Sequence, residues 1–333
     1  MEPRVALLVF ALAAAAGLAV LWPRHGLLAR VIRRFRSTVP VLADDALKVL
    51  FHRGPHAPEA LGRALGLPPD RTEAVLGRLM REGRITGQDG AIALTDAGRA
   101  RALHVIRTHR LWERYLADRT GVSAADWHRE AERVEHKLSP ADADRLSASM
   151  GRPLFDPHGD PIPAPDGTVP DLDGVPLVEL PAGAAAEVVH VEDEPAAPYT
   201  RLVAAGIAAG QRVRVVEADP EQIVLSVEGG AARIAAQDAA LVTARPIDAQ
   251  GERAVRSLAQ LEIGETARVV GLAAACHGPQ RRRLLDLGAV PGTPVTAELA
   301  GPLGDPRVYR LRGAQIALRR EQAAWILVEA EAS

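Results

Sequence analysis

A chain of 333 residues, 47% hydrophobic and 25% charged, has a globular composition and is too long for one ordinary domain. Its single cysteine, Cys276, excludes a disulfide framework and, within one chain, a thiolate-rich zinc site. The net charge of −2 hides an asymmetry: residues 24–165 hold 23 basic and 18 acidic side chains, while the remainder to the C-terminus is acidic, which permits nucleic-acid contact in the front part.

The first segment, Val5 to Trp22, is an unbroken apolar run that as a helix would span roughly 27 Å, enough for a thin bilayer. Arg24, Arg30, Arg33, Arg34 and Arg36 follow it, and no A-x-A site closes it, so it reads as a retained anchor rather than a cleaved signal peptide. The expectation is a transmembrane helix over 1–22, a basic juxtamembrane linker over 23–39, and everything beyond it on the cytoplasmic side of the inner membrane. The stretch WPRHGLLARVIRRFR also resembles the tail after the last helix of metal-transporting ABC permeases.

From Pro40 the pattern turns helical. VLADDALKVLFHRG, APEALGRALGLPP and DRTEAVLGRLMREG predict three short helices, and RITGQDGAIALTDAG predicts a hairpin around Asp89-Gly90. That order is the order of a winged helix-turn-helix, expected over 40–100, which places its second motif helix in the major groove; a small helical domain with an added hairpin is the other reading of the same pattern. Helices at Arg99–Tyr115, Ala124–Leu138 and Pro140–Met150 predict an all-α domain over 101–165, to which the family resemblance given below assigns metal binding and dimerisation. A Pro/Gly/Asp-rich stretch then runs into a linker over 166–176.

The rear half is an internal repeat. RLVAAGIAAGQRV (Arg201–Val213) matches RLLDLGAVPGTPV (Arg283–Val295), and LPAGAAAEVV matches LEIGETARVV ahead of them. Short strands around one helical turn predict a small β-barrel in each copy, over 177–247 and 255–330. The expected fold is therefore α+β and multidomain: a transmembrane helix, a winged helix-turn-helix, an all-α domain and two tandem small β-barrels.

Two helices carry the chemistry. His109 and Glu113 are four apart on one; His128, Glu132, Glu135 and His136 fall at relative positions 0, 4, 7 and 8 on the next, one continuous stripe. Imidazoles and carboxylates together are costly to bury unpaired, so the stripe must meet water or cations. A ligand set of hard oxygen and imidazole without thiolate suits Mn²⁺, Fe²⁺, Co²⁺ or Zn²⁺. No nucleophile accompanies it, so the chain does not read as an enzyme.

HRLWERYL (His109–Leu116), WHREAERVEHKLSP (Trp127–Pro140) and DPHGDPIP (Asp156–Pro163) resemble, in order and spacing, the diphtheria-toxin-repressor family of metal-dependent regulators. The likeness covers Val39 to about Pro165, and the rear repeats resemble the SH3-like FeoA domain that follows this core in the iron-sensing branch. The resemblance implies a primary metal site from Asp45, Glu132, Glu135 and His136, and an ancillary one from His109, Glu113 and His128, with His109 also able to join the first. Glu192 and Glu194 stand near the place where the SH3-like domain completes the ancillary site. Asp45 and Glu132 replace a Met and a Cys of the iron branch, so the site resembles the manganese branch, although Lys48 stands where that branch usually has an acid. The resemblance further implies a homodimer on a palindromic duplex operator, with Arg71, Thr72, Arg78 and Arg84 as DNA contacts and Mn²⁺ or Fe²⁺ as corepressor. Zn²⁺ or Co²⁺ should bind in vitro. Asp70 and Glu73 at the start of the recognition helix depart from the pattern and bring negative charge towards phosphates. The competing reading is a membrane-tethered metal sensor that acts on a metal transporter by protein contact, with weak or no DNA binding.

Overall fold

The computed structural model describes residues 39–88, 90–227, 230–247 and 255–330. The apolar run of residues 5–22 lies outside them, and among the described residues no helix is long and apolar enough to cross a membrane. The expected membrane anchoring is corrected on that finding. The described chain divides into two compact units, residues up to Val105 and residues from Ile106 onward.

The N-terminal unit is a winged helix-turn-helix. Helices α1 (Val39–Arg53), α2 (Pro58–Ala64) and α3 (Pro69–Arg81) precede strands β1 (Ile85–Gln88) and β2 (Ala91–Leu94), which pair antiparallel from Ile85↔Leu94 to Gln88↔Ala91. Prolines at the first turns of α2 and α3 supply the fixed φ that a helix start tolerates. Leu42, Leu47, Leu50, Leu61, Val75 and Leu79 close the core, because each lies on the inward stripe of its helix. The wing is pressed onto the start of α4 (Asp96–Arg119): a Cβ on Gly98 would lie 1.9 Å from the Arg84 carbonyl oxygen, so only glycine fits there. Thr95 caps this junction, accepting from Gly98 N and donating to Gly83 O. Buried Asp44 on α1 holds Arg101 on α4 through two hydrogen bonds of 2.8 and 2.5 Å.

In the second unit, α5 (Ala124–Glu132) and α6 (Pro140–Ser149) pack with the rest of α4 around Leu111, Leu116, Trp127 and Ala143. α5 stops at Glu132, earlier than its periodicity suggests, and residues 133–137 continue in tight turns bonded mostly i to i−3. The expected stripe is thus cut: Glu135 and His136 leave the helix that carries His128 and Glu132.

The repeat is real and its two copies share one topology. The first orders its strands β3-β8-β4-β5-β6-β7: β3 Val175–Pro176, β4 Ala185–Val191, β5 Arg212–Ala218, β6 Gln222–Val227, β7 Gly230–Ala235 and β8 Val242–Pro246. The second runs β9-β14-β10-β11-β12-β13 in the same arrangement: β9 Val255–Ser257, β10 Thr266–Leu272, β11 Pro294–Ala300, β12 Arg307–Leu311, β13 Ala314–Leu318 and β14 Ile326–Ala330. Register shifts also coincide, after Val188 and Val269 and after Val215 and Ala297. Bulges at matched places bend each antiparallel sheet around a single apolar core. Each copy carries one longer helix, α7 (Ala196–Ala204) and α9 (Gly278–Asp286), and one short one, α8 (Ala236–Ala239) and α10 (Arg320–Ala324).

Candidate metal centre

Within the second unit, α4 presents His109 and Glu113 one turn apart to the interior, 8% and 1% exposed. His109 is held from both sides: its Nδ1 lies 2.5 Å from Glu135 Oε2 and its Nε2 lies 3.1 Å from Glu113 Oε1. Glu135 in turn sits 3.2 Å from His136 Nε2. The turns after α5 therefore still deliver Glu135 to the cluster, by a different route from helical periodicity.

The DPHGDPIP loop brings ligands that periodicity gave no sign of. Asp156 Oδ1 accepts from His158 N at 2.8 Å and Asp160 N at 2.9 Å, an Asx turn that folds the loop on itself. Gly159, at φ +95°, is pressed onto β4 so closely that a Cβ would meet Val189 O at 1.9 Å. Val191 N donates to His158 O at 2.8 Å, so the loop is stitched to the first repeat just before residues 192–194. Arg110 anchors the loop's far side on Asp160 and the Pro161 carbonyl.

The result is a convergence of imidazole and carboxylate. His128 Nδ1 lies 3.0 Å from Asp193 Oδ2 and 3.6 Å from Glu113 Oε1; its Nε2 lies 3.0 Å from Glu194 Oε1 and 3.6 Å from Glu132 Oε1. His158 Nδ1 lies 3.7 Å from Glu113 Oε2 and 3.8 Å from Asp193 Oδ2. Two groups of potential ligand atoms, each within 4.8 Å of one another, share Glu113: His109, Glu113 and His128, and Glu113, Asp156 and His158.

Protonated imidazoles, with Arg110 beside Asp156 and Asp160, offset the carboxylate charge. Burial works against charge on His109, but the carboxylates of Glu113 and Glu135 outweigh it and push the imidazole up to about 9. His158, buried likewise, is raised to about 9 by Glu113 and Asp156. Burial also opposes charge on His128, yet Asp193, Glu113, Glu132 and Glu194 raise it. Burial would lift Glu113, but three imidazoles hold it well below the usual carboxylate range. Asp156, buried and beside Asp160, is pushed up to about 8.

A cation fits this arrangement. His128 Nδ1 and both ring nitrogens of His158 are buried without a hydrogen-bond partner, although carboxylate oxygens lie nearby. Ligands at about 2.1 Å from a divalent ion leave N···O edges of roughly 3 Å, close to the shorter separations seen here. Orphaned imidazole nitrogens facing carboxylates are what a metal would satisfy and what hydrogen bonding has not.

The expected site residues are thus partly gathered. His109, Glu113, His128 and Glu135 meet in one cluster, Glu132 and Glu194 stand at its edge with His128, and His136 joins through Glu135. Glu192 does not reach it. One residue along an extended segment reverses the side-chain direction, so Asp193 enters the cluster while Glu192 has His190 and Asp160 as its main charged neighbours. Asp45 lies half-buried on α1 in the other unit. Asp156, His158 and Asp193 were not foreseen; the signal for them was the histidine between two aspartates in DPHGDP and the Glu-Asp-Glu run before α7. On α3, Thr72 is corrected as a DNA contact: it is buried, its hydroxyl donates to Pro68 O, and it fills the space above Gly62 where α2 crosses. Arg71 is half-buried, Arg78 pairs with Glu82 at 2.7 Å, and Arg84 pairs with Glu82 at 3.0 Å.

Comparison with known proteins fits this picture. Residues 95–164 match the family model described as "Iron dependent repressor, metal binding and dimerisation domain", and residues 175–246 and 256–330 each match the FeoA domain. The iron-dependent repressor IdeR of Mycobacterium leprae is 34% identical over 167 residues, 46% of this chain and 72% of that protein. The chain belongs to the iron-dependent repressor family. A manganese-dependent transcriptional repressor in complex with manganese, 27% identical, superimposes with a TM-score of 0.53 over 62% of this chain and all of the other. A probable metal transport system membrane protein of Chlamydia trachomatis is 36% identical over 85 residues, 26% of this chain and 19% of that protein. Relatives in the iron-dependent repressor family are regulators rather than enzymes, and the FeoA model matches this chain twice.

Proposed function

We propose that this chain is a metal-responsive DNA-binding repressor of metal-transport genes, acting as a homodimer with Mn²⁺ or Fe²⁺ as corepressor. The observation that carries the reading is the pair of buried ligand groups meeting at Glu113, with three imidazole nitrogens that no hydrogen bond satisfies. His109, Glu113, His128 and Asp193 would hold one cation, and Glu113, Asp156 and His158 an adjoining one. Asp45, Glu132, Glu135 and His136 are, on the family resemblance alone, the proposed primary ligands. Mixed oxygen and imidazole donors favour a borderline-hard divalent ion, and cellular supply rather than intrinsic affinity selects among such ions.

A bound divalent ion supplies the positive charge that protons otherwise provide in this cluster. Glu113 gathers His109 from its own helix, His128 from α5 and His158 from the loop, so its carboxylate ties three segments together. Asp193 and Glu194 add the first repeat to that knot. The same groups hold the metal domain in one arrangement, which a dimer needs if two winged units are to match the spacing of two half-sites. On the DNA side Arg71 and Arg78 of α3 and Arg84 of the wing are the candidate contacts.

The test is fluorescence anisotropy of the chain against duplex DNA from its own upstream region, with Mn²⁺, Fe²⁺ or chelator at fixed salt. Metal-dependent binding that a random duplex does not compete away is expected; tight metal binding without DNA preference would sink the DNA reading. That second outcome belongs to a metal sensor working through protein contact with a transporter, which exposed Asp70 and Glu73 on α3 favour.

A further inference from the structure

The two repeats share a fold and carry opposite charge. Residues 175–246 hold ten acidic and five basic side chains, whereas residues 256–330 hold seven acidic and ten basic. The divergence centres on one helix. In register, Tyr199, Thr200 and Arg201 of α7 become Arg281, Arg282 and Arg283 of α9. Tyr199 is buried with its ring 5.1 Å from that of His158, and Arg201 is locked to Asp238 by hydrogen bonds of 2.8 and 2.7 Å. The second copy has lost that lock. Gln322 stands four residues before β14, as Asp238 stands four before β8, and its side-chain oxygen accepts from Arg319 N instead.

Arg281, Arg282 and Arg283 are all exposed, and no carboxylate among the described residues pairs with them, exposed Asp286 on the same helix included. Arg312, at φ +49°, adds a fourth exposed cation: its stem lies over Gly288 at the end of α9, where a Cβ would meet its Cδ at 2.7 Å. Consecutive helical positions point about 100° apart, so the three guanidinium groups fan around the exposed side of α9 and together give it a positive field that attracts an anionic partner. Each guanidinium matches phosphate oxygens in geometry as well as in sign.

Residues 40–100 hold eight basic and eight acidic side chains, so the expected reading head is electrically neutral. Duplex binding draws most of its sequence-independent attraction from neutralised phosphates, and this unit has little to offer them. We infer that α9 of the second repeat, with Arg312, is a contact surface for the DNA phosphate backbone that supplies the attraction the winged unit lacks. The inference rests on the DNA-binding reading above and assigns a role to the second repeat.

The test uses the full chain, metal-loaded, with upstream and random duplexes titrated across a range of salt. R281Q/R282Q/R283Q should reduce the slope of log K against log salt by about 2 to 3, at about 0.9 per phosphate contact, and leave the preference for the upstream duplex unchanged. R281K/R282K/R283K, which keeps the charge, should restore the slope. R212Q/R233Q, which removes exposed arginines from the acidic repeat, should leave it alone. An unchanged slope in the glutamine variant overturns the inference while the DNA reading stands. Loss of self-association with an unchanged slope also overturns it, assigning the basic face to the acidic repeat of a second copy. A wild-type chain that binds no duplex at any salt removes the DNA reading and this inference together.

Discussion

The two FeoA-like repeats begin from the same strand order and the same bulges, and they meet the metal domain through the same loop, the one that precedes their longer helix. In the first repeat that loop is Glu192–Pro195 and places Asp193 and Glu194 within 3.0 Å of His128. In the second it is Cys276–His277, which meets the neighbouring residue, Trp127, with rings 5.2 Å apart. Helix α5 is therefore touched from both copies, by carboxylates at His128 and by a neutral ring at Trp127. Burial, with Arg114 nearby, lowers His277 to about 4, so it stays uncharged at neutral pH and offers a docking ring, not a charge. A shared scaffold fixes where a loop arrives; the residue types on it decide whether that arrival makes a metal site.

The largest expected effect separates the two loops. Asp193→Asn should weaken metal binding roughly 10- to 100-fold, the order seen when a group supporting a metal site is lost, whereas His277→Ala should move it little. Isothermal titration with Mn²⁺ or Co²⁺ reads both; equal losses would erase the distinction drawn between the repeats. A pH series sharpens it. Because His109 and His158 are raised to about 9, metal must displace their protons, so affinity should climb between pH 6.5 and 9 rather than level off at 7. The metal-free protein should behave oppositely. Imidazoles raised on folding contribute stability that is fully present below about 6.5 and lost as pH rises through about 9. Thermal melts with chelator and with metal should diverge across that window, and parallel curves would mean that the imidazoles do not hold the protons.

Much of this organisation was legible in the sequence, and the reasons differ by region. The winged unit and the repeats show in the linear chain because helix periodicity, Asp-Gly at the wing and matched glycines are local signals. His109, Glu113 and His128 were visible because helical spacing puts them on facing surfaces. His158 and Asp193 were not, because an Asx turn and a strand end bring them in, and neither leaves a period. Thr72 misled for a related reason: α3 presents a charged face and a packing face, and a small polar residue suits either. Glu192 failed by one position, the distance over which an extended segment reverses direction.

Backbone comparison gives a smaller effect. The position that begins α9 is Gly278, at φ +56°, where a Cβ would lie 2.2 Å from Thr120 O; its counterpart at the start of α7 is exposed Ala196. Gly278→Ala should destabilise the chain by about 1–3 kcal/mol, through both the left-handed backbone and the lost approach to Thr120. Ala196→Gly should cost a few tenths of that. Chemical denaturation of both variants decides it, and equal midpoints would mean that the second repeat does not rest on the end of α4.

The smallest expected effect lies in the pair that diverged to make the basic face. Arg201 holds the buried Asp238 carboxylate, and that partner keeps Asp238 below the usual carboxylate range. Arg201→Ala should therefore lower the thermal midpoint slightly, because the arginine side of the pair is open to solvent and water takes over most of the lost contact. Arg283→Ala, with no carboxylate to abandon, should leave the midpoint unchanged. A carboxyl group depressed on folding contributes stability present above its unfolded value and lost as pH falls through the folded one. The gap between Arg201→Ala and wild type should therefore be open at neutral pH and close in strong acid, while Arg283→Ala should track wild type throughout. A gap that persists in acid would mean that Arg201 acts through packing of its stem. The charge on α9 would then have arisen beside the lost lock rather than because of it.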